Sequence, residues 1–500
     1  MGVGRILVDF AGWTSAHGIP HIGSAQNNCL RLFWTVMFVA STSMFTFQMV
    51  LLIQKYTSYD VTVQTELKFE EREFPAVTMC NLNPFKNETL HLNDDMFDLM
   101  KNYKAAIRNS ADLDADDRWG FKETTDVVEK QSIAREHLLF LSSNMSDILH
   151  DNLTYMLEDP GNFASGFVLN CAFNTRPCRV NIVKSDFATS RDPNYGKCYT
   201  FNHGARYKST RAGPLYGLRL LAVSNQQEYL PLTESAGVRV AVHGWDEEPF
   251  PDAFGYNAAA GFTTSFGIKF IKTIRLSQPY GNCTKDRDES LYYYKGAYQV
   301  EGCYRSCYQR AVVKRCGCGD PRFNLPTAGD WYCPAFGPLR ACVDTFTSGN
   351  KTLNSFNQVT DCNCPQPCEE STYGVTVSTA LWPSDVYIPP ECKGSDVGTP
   401  WEGYAVEGCT AWYKDNTMLI EVYYERMNYQ QLGESPAYTL VNLISDMGGQ
   451  LGLWMGISVI TVVEFISLLI LLCLYCINRP KDDQVDDEEE EPNAFDGVIY

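Results

Sequence analysis

The chain has 500 residues, 45% of them hydrophobic and 13% aromatic, and a formal net charge of −19. That length builds more than one core. Its low mean hydropathy excludes a many-span transporter, and its acidic balance excludes nucleic acid as a partner.

Residues 1–30 carry few charges and several Gly, Ser and His, and read as a cytoplasmic loop in which composition gives His17 no role. Leu32 to Ile53 is apolar throughout, and about 20 residues rising 1.5 Å each cross a bilayer, so 31–54 is expected to be a first transmembrane helix. A signal peptide is the poorer reading, because its apolar run is only about 7–15 residues and lies nearer the start. Residues 55–436 then form the extracellular part. Val61 to Phe69 alternates like a strand, and Phe74 to Asn81 runs into a turn. Leu90 to Asp159 is charged and helix-prone. Strands and tight turns are expected from Phe167 to Phe201, around Cys171, Cys178 and Cys198, and again over Val238–Val242 and Gly267–Leu276. Between these last two lies a loop with Asp246, Glu247 and Glu248. Most of the extracellular cysteines crowd between Cys283 and Cys409, where cross-links replace a large core. Met418 to Tyr424 alternates as a strand heading back to the membrane.

From Leu451 to Ile477 the chain is almost wholly apolar again, and 437–477 is expected to be a second transmembrane helix lining a pore. Gly448, Gly452 and Gly456 at four-residue spacing bare one helix face. Ser458, Thr461 and Glu464 form a polar stripe, and a carboxylate at membrane depth is costly unless it meets water or a partner. The stretch approaches twice the spanning length, so it projects, tilts or breaks, and Gly456-Ile457-Ser458 is the natural place for a break. A glycine-paired anchor remains the alternative. Residues 478–500 are an acidic cytoplasmic tail, with nine carboxylates in the last twenty residues against Lys481.

Three features set the topology. Arg31 precedes the first span, and Arg479 and Lys481 follow the second, which places both termini in the cytoplasm. All five Asn-x-Ser/Thr sequons (Asn87, Asn144, Asn152, Asn282, Asn350) lie between the spans. So do sixteen of the 19 cysteines, an even number that reads as disulfides in an oxidising compartment, with only Cys29, Cys473 and Cys476 elsewhere. Zinc at Cys303-x3-Cys307 and Cys316-x-Cys318 is disfavoured by scarce histidine, so no metal and no cofactor is expected.

Seven motifs then stand in order: His17-Gly18, FPAVTMCNLN at 74–83, GKCYTFNHG at 196–204, DEEPFPD at 246–252, CYRSCYQRAVVKRCGC at 303–318, CNCPQPC at 362–368 and GGQLGLWMGIS at 448–458. Together they resemble the degenerin/epithelial sodium channel superfamily, which includes acid-sensing and FMRFamide peptide-gated channels. The resemblance implies an α+β membrane protein: two transmembrane helices flank a large disulfide-rich domain of palm, ball, finger, thumb and knuckle. It further implies a homotrimer or a heterotrimer with related subunits in the plasma membrane, permeant Na+, and amiloride as pore blocker. Seven disulfides are implied by position: Cys80–Cys198, Cys171–Cys178, Cys283–Cys368, Cys303–Cys364, Cys307–Cys362, Cys316–Cys342 and Cys318–Cys333. Cys392 and Cys409 are left as an eighth pair. Gly456, Ile457 and Ser458 match the selectivity filter, where backbone carbonyls replace an ion's hydration shell, although many relatives carry Ala or Ser in place of Ile457. Ser445 and Asp446 match the gate, Gly452 an amiloride-contacting position, Glu464 an inner-pore carboxylate, and His17 and Gly18 the cytoplasmic gating motif. Tyr280 matches a loop whose aromatic meets a tyrosine beyond the first span, here Tyr56 or Tyr59.

Several stimuli fit. Asp246 and Glu247 match part of an acid-sensing pocket, with Asp344 as the candidate thumb partner, and clustered carboxylates raise one another's pKa. The histidine pair that follows the first span in acid-sensing channels is here Tyr59-Asp60. An extracellular FMRFamide-like peptide, basic and aromatic, suits an acidic ectodomain rich in aromatics. Proton, bile-acid or mechanical gating are the alternatives. A non-conducting two-span receptor glycoprotein is a reading of another class. An enzyme is not expected, since neither G-x-S-x-G nor H-E-x-x-H occurs.

Overall fold

Strand Phe262–Ile274 is the spine of the larger of two compact units, Val63–Ser435; the other unit joins Met1–Thr62 to Pro436–Tyr500. The computed structural model describes residues 3–108, 117–157, 166–179, 186–204, 207–285, 288, 291–327, 329–347, 356–393 and 405–477. Asn350 and the whole tail, with Arg479 and Lys481, fall outside them.

The spine pairs antiparallel along its full length with Glu369–Leu381, Phe262 opposite Leu381 and Ile274 opposite Glu369. Its other edge runs parallel first to Thr417–Tyr424 and then to Asn428–Pro436. Val61–Phe69, Leu218–Val223, Val168–Phe173 and Arg176–Pro177 complete an eight-stranded sheet. A five-stranded antiparallel sheet runs in the order Gly255–Ala259, Gly237–His243, Ala76–Asn81, Gly196–Phe201, Phe187–Asp192. Alternation decides which side chains go inside. Val238 and Val240 from the second sheet share one buried cluster with Leu218, Leu220, Phe266 and Ile268 from the first.

Helices Asp94–Ile107 and Val127–Ser143 start at side-chain caps, Asn93 accepting from the Met96 amide and Asp126 from that of Val128. They enclose Leu99, Tyr103, Trp119, Phe121 and Leu138. Helix Val300–Cys316 and helix Pro338–Thr347 share a third cluster around Val312, Val343 and Phe346. Eight disulfides staple this unit: Cys80–Cys198, Cys171–Cys178, Cys283–Cys368, Cys303–Cys364, Cys307–Cys362, Cys316–Cys342, Cys318–Cys333 and Cys392–Cys409.

In the smaller unit, Asn28–Thr57 is a 30-residue apolar helix, long enough to cross a membrane. The second apolar stretch is not one continuous helix over 437–477, and it breaks at the Gly456-Ile457-Ser458 step named for a break. It is two helices, Leu440–Met455 and Val459–Ile477, bent by 75° at the break; only as a pair do they meet the length and composition of a span. Residues 1–30 also depart from a plain loop, because Val3–Trp13 and Ile19–Ser24 are helical.

Candidate pore and sensing sites

The break at 456–458 is made by a stop and a start. Gly456 takes the left-handed conformation (φ 61°, ψ 22°), its N–H donating to the Gly452 carbonyl at 3.1 Å, while the Ile457 N–H reaches the Leu451 carbonyl at 3.3 Å. That closes a helix C-terminus as glycine can and most residues cannot. Ser458 opens the next helix: its Oγ accepts from the Thr461 N–H at 3.3 Å, and the Thr461 hydroxyl accepts from the Ser458 N–H at 3.2 Å.

The N-terminal segment closes onto this break. The His17 N–H donates to the Met455 carbonyl at 3.0 Å, and the His17 ring lies 2.3 Å from where a Cβ on Gly456 would stand. Gly18 (φ 87°) faces the Phe38 ring at 3.2 Å from its own Cβ position. The Glu464 carboxylate accepts from the Ser15 N–H at 2.8 Å, the Thr14 hydroxyl at 3.0 Å and the Ser15 hydroxyl at 3.1 Å. Ser15 and the fully buried Thr461 share a 2.6 Å hydroxyl contact. The polar stripe of the second segment meets its own chain's N-terminus, and the cost of a carboxylate there is offset by three donors. His17, Gly18, Gly456, Ser458 and Glu464 come together in one cluster. Sequence reasoning missed Thr14 and Ser15; two hydroxyls just before His17-Gly18 were the available signal.

At the other end of the two apolar segments, the Tyr438 hydroxyl donates to Asp446 at 2.6 Å, Lys55 sits over the Tyr438 ring at 4.5 Å, and the Ala437 N–H donates to the Asp60 carbonyl at 2.9 Å. Trp454 Nε1 reaches Gln48 at 2.9 Å, tying the two apolar segments. Nothing lies within 4 Å of a Cβ placed on Gly448, Gly449 or Gly452, and Ser445 is exposed, so this face is open to close approach.

In the larger unit, Asp246 and Glu247 line a cavity of about 820 Å³, together with Glu248, Glu301, Glu369 and Glu370 and the rings of Phe250, Phe254, Tyr256, Tyr298 and Tyr373. Among the described residues no lysine or arginine lines it. Glu301 is held by Arg305 at 2.7 Å, Glu370 by Arg275 at 2.7 Å, and Glu369 by Lys272. Glu247 accepts from the Gly244 N–H at 2.8 Å. Burial, reinforced by Asp246 and Glu370, pushes Glu247 up to about 7. His243 on the same wall is bonded to the Thr78 hydroxyl at 2.7 Å and the Gly244 carbonyl at 2.8 Å, and burial pushes it down to about 4. Asp344, the expected thumb partner, is not at this cavity: Arg340 binds it at 2.9 Å, stacks on Phe140 at 3.7 Å and reaches Glu136 at 2.7 Å. Asp344 thus belongs to an arginine clasp, apart from the cavity that Asp246 and Glu247 line. Among the described residues no cluster of His, Cys, Asp or Glu is arranged to hold a metal ion.

A profile of the family described as "Amiloride-sensitive sodium channel" matches residues 10–468. The chain belongs to that family. "Degenerin-like protein asic-2" of Caenorhabditis elegans is 32% identical over 522 aligned positions, covering 99% of this chain and 92% of that protein. "Degenerin unc-8" of the same organism is 41% identical over 365 positions, 72% of this chain but only 45% of its own length. "Degenerin mec-10" of Caenorhabditis briggsae is 28% identical over 98% of this chain and 86% of its own. The superfamily is membrane-embedded and made of ion channels, not enzymes.

Within this family member, the remaining expected residues are placed as follows. Asn144, Asn152 and Asn282 are exposed, and Asn87 is half-buried. The Tyr56 and Tyr59 rings lie 6.3 Å apart at the end of the first apolar helix, and Tyr280 sits in a turn closed by its N–H on the Ser277 carbonyl at 3.2 Å. Cys29, Cys473 and Cys476 are unpaired and exposed.

Proposed function

We propose that this chain is one subunit of a sodium-selective channel of the plasma membrane, a homotrimer or heterotrimer of two-span subunits with both termini cytoplasmic. The carrying observation is the capped break at Gly456-Ile457-Ser458, with His17 seated against it and an open glycine face beside it. Three such breaks around an axis would present backbone carbonyls and small side chains to a partly dehydrated Na+. Ser445 and Asp446 would gate the outer mouth, Gly452 would meet amiloride, and Tyr280 with Tyr56 or Tyr59 would couple the ectodomain to the pore. Eight disulfides in one unit and three free thiols in the other support an oxidising location for the first.

The stimulus we favour is an extracellular FMRFamide-like peptide. A cavity walled by aromatic rings and carboxylates, of which Asp246, Glu247 and Glu248 lie outside its three ion pairs, suits a ligand that carries a guanidinium and an aromatic amide. The same wall disfavours an anionic bile acid. Acid is the second reading, supported by Glu247 at about 7. Oocytes expressing the chain alone should pass amiloride-blocked inward sodium current on adding amidated peptides. Current on acidification without any peptide response would leave the acid reading instead, and silence from surface-expressed protein under every stimulus would favour a non-conducting receptor.

A further inference from the structure

We infer that helix Val3–Trp13 is a lipid-seated amphipathic helix, a second membrane contact lying along the bilayer surface beside the spans. The helix has two faces. Ile6, Leu7, Phe10 and Trp13 recur at three- and four-residue spacing, while Asp9 and Gly12 fall opposite them, with the exposed Val8 between. At the centre of the apolar face Phe10 is 5% exposed and packs on Phe465 of helix Val459–Ile477, with ring centroids 5.3 Å apart. Its flanks are not covered: Leu7 is 47% exposed and Trp13 49%.

The occupant follows from continuity. Phe465 belongs to an apolar helix whose own flanks, Ile466 and Leu469, are also exposed, so the open sides of Val3–Trp13 extend one greasy surface. Lipid is the occupant that such a surface meets when its helix is in a bilayer. An 11-residue helix is too short to span and is free to lie flat. Trp13 suits the headgroup boundary, where an indole keeps its ring in acyl chains and its N–H in water. The helix ends directly at Thr14 and Ser15, the residues that bind Glu464. Lipid that holds Val3–Trp13 thereby also holds the segment seated at the break.

This inference rests on the membrane-spanning reading, so the experiment carries a control for it. The full chain, with Cys29, Cys473 and Cys476 replaced by serine, is reconstituted in phosphatidylcholine–phosphatidylserine vesicles with a nitroxide at Leu7→Cys, Asp9→Cys or Val36→Cys. Accessibility is read with oxygen, which partitions into lipid, and with a nickel chelate, which stays in water. Val36, 58% exposed on Asn28–Thr57, reports whether that helix is in the bilayer. With Val36 in lipid, an oxygen-to-nickel ratio several-fold higher at position 7 than at position 9 is the expected result. Nickel dominating at both 7 and 9 overturns the inference and leaves the spans intact. Protection from both reagents at position 7 also overturns it, by showing that another copy of the chain covers the helix. Nickel dominating at Val36 overturns the membrane reading itself.

Discussion

The two units hold themselves together by different means. Val63–Ser435 has two sheets with a shared core, four further clusters among its described residues and eight disulfides, so its geometry is fixed by burial and by covalent staples. The smaller unit has no disulfide among its described residues, and its one sharp feature, the 75° bend, is set by caps and hydrogen bonds. Polar contacts of that kind exchange more readily than buried cores and covalent staples, so the bend is the part of the fold more open to local rearrangement. The contrast teaches where substitutions should abolish current and where they should abolish folding.

The largest effect is expected at Gly456. Any side chain there meets the His17 ring and a left-handed backbone, so Gly456→Val should remove the current while surface labelling stays near that of the parent chain. Loss of surface protein instead would move this unit's bend into the folding category. Staples of different span should sharpen the other half of the comparison. Replacing both Cys80 and Cys198 by serine opens a bridge spanning 118 residues and should cost about 5 kcal/mol, against about 3 kcal/mol for the 17-residue bridge Cys392–Cys409. Thermal unfolding of the secreted ectodomain, or surface yield of the whole chain, should rank them in that order. A smaller effect is expected at the clasp: Arg340→Met keeps an apolar contact on Phe140 but drops the cation–π contact and two carboxylate bonds, at about 2 kcal/mol.

The pH dependence is the mildest test. Glu247 at about 7 and Asp192 at about 6, both raised mainly by burial, bind protons more tightly folded than unfolded, so each adds stability as pH falls through that value. His137, His150 and His243, all held down to about 4 mainly by burial, subtract stability as pH falls below their ordinary 6.5. The unfolding midpoint should therefore rise from about pH 8 to about 6.5 and decline below it. Glu247→Gln should flatten the alkaline limb and leave the decline. An unchanged alkaline limb would detach Glu247 from any role in sensing mild acid.

Much of this was legible beforehand, for reasons that differ by element. Val61–Phe69 matches its expected bounds and Thr417–Tyr424 differs by one residue, because β-branched and aromatic residues in polar–apolar alternation mark a strand locally, even where, as here, the first is exposed on both faces and the second nearly all buried. The break at 456–458 was legible as an excess of length with a glycine and a serine in its middle. Strand Glu369–Leu381, largely exposed and rich in Ser and Thr, went unread because its main partner, Phe262–Ile274, is about a hundred residues away in the chain. The Arg340 clasp was illegible for the same reason: Glu136 and Phe140 lie 204 and 200 positions earlier, and no local pattern links them. His17-Gly18 carried meaning only through resemblance, and the hydroxyls that seat it became visible only in the fold.

Cys303 and Cys307 stand one helical turn apart, and their partners Cys364 and Cys362 return along the same face in reverse order. Two rungs at that interval remove both rotation and sliding, which a single rung would permit. The helix is therefore a stiff rod clamped to the returning segment 362–364, and a push delivered at Val300 must reach Cys316 as movement of the whole rod, with little lost to bending on the way.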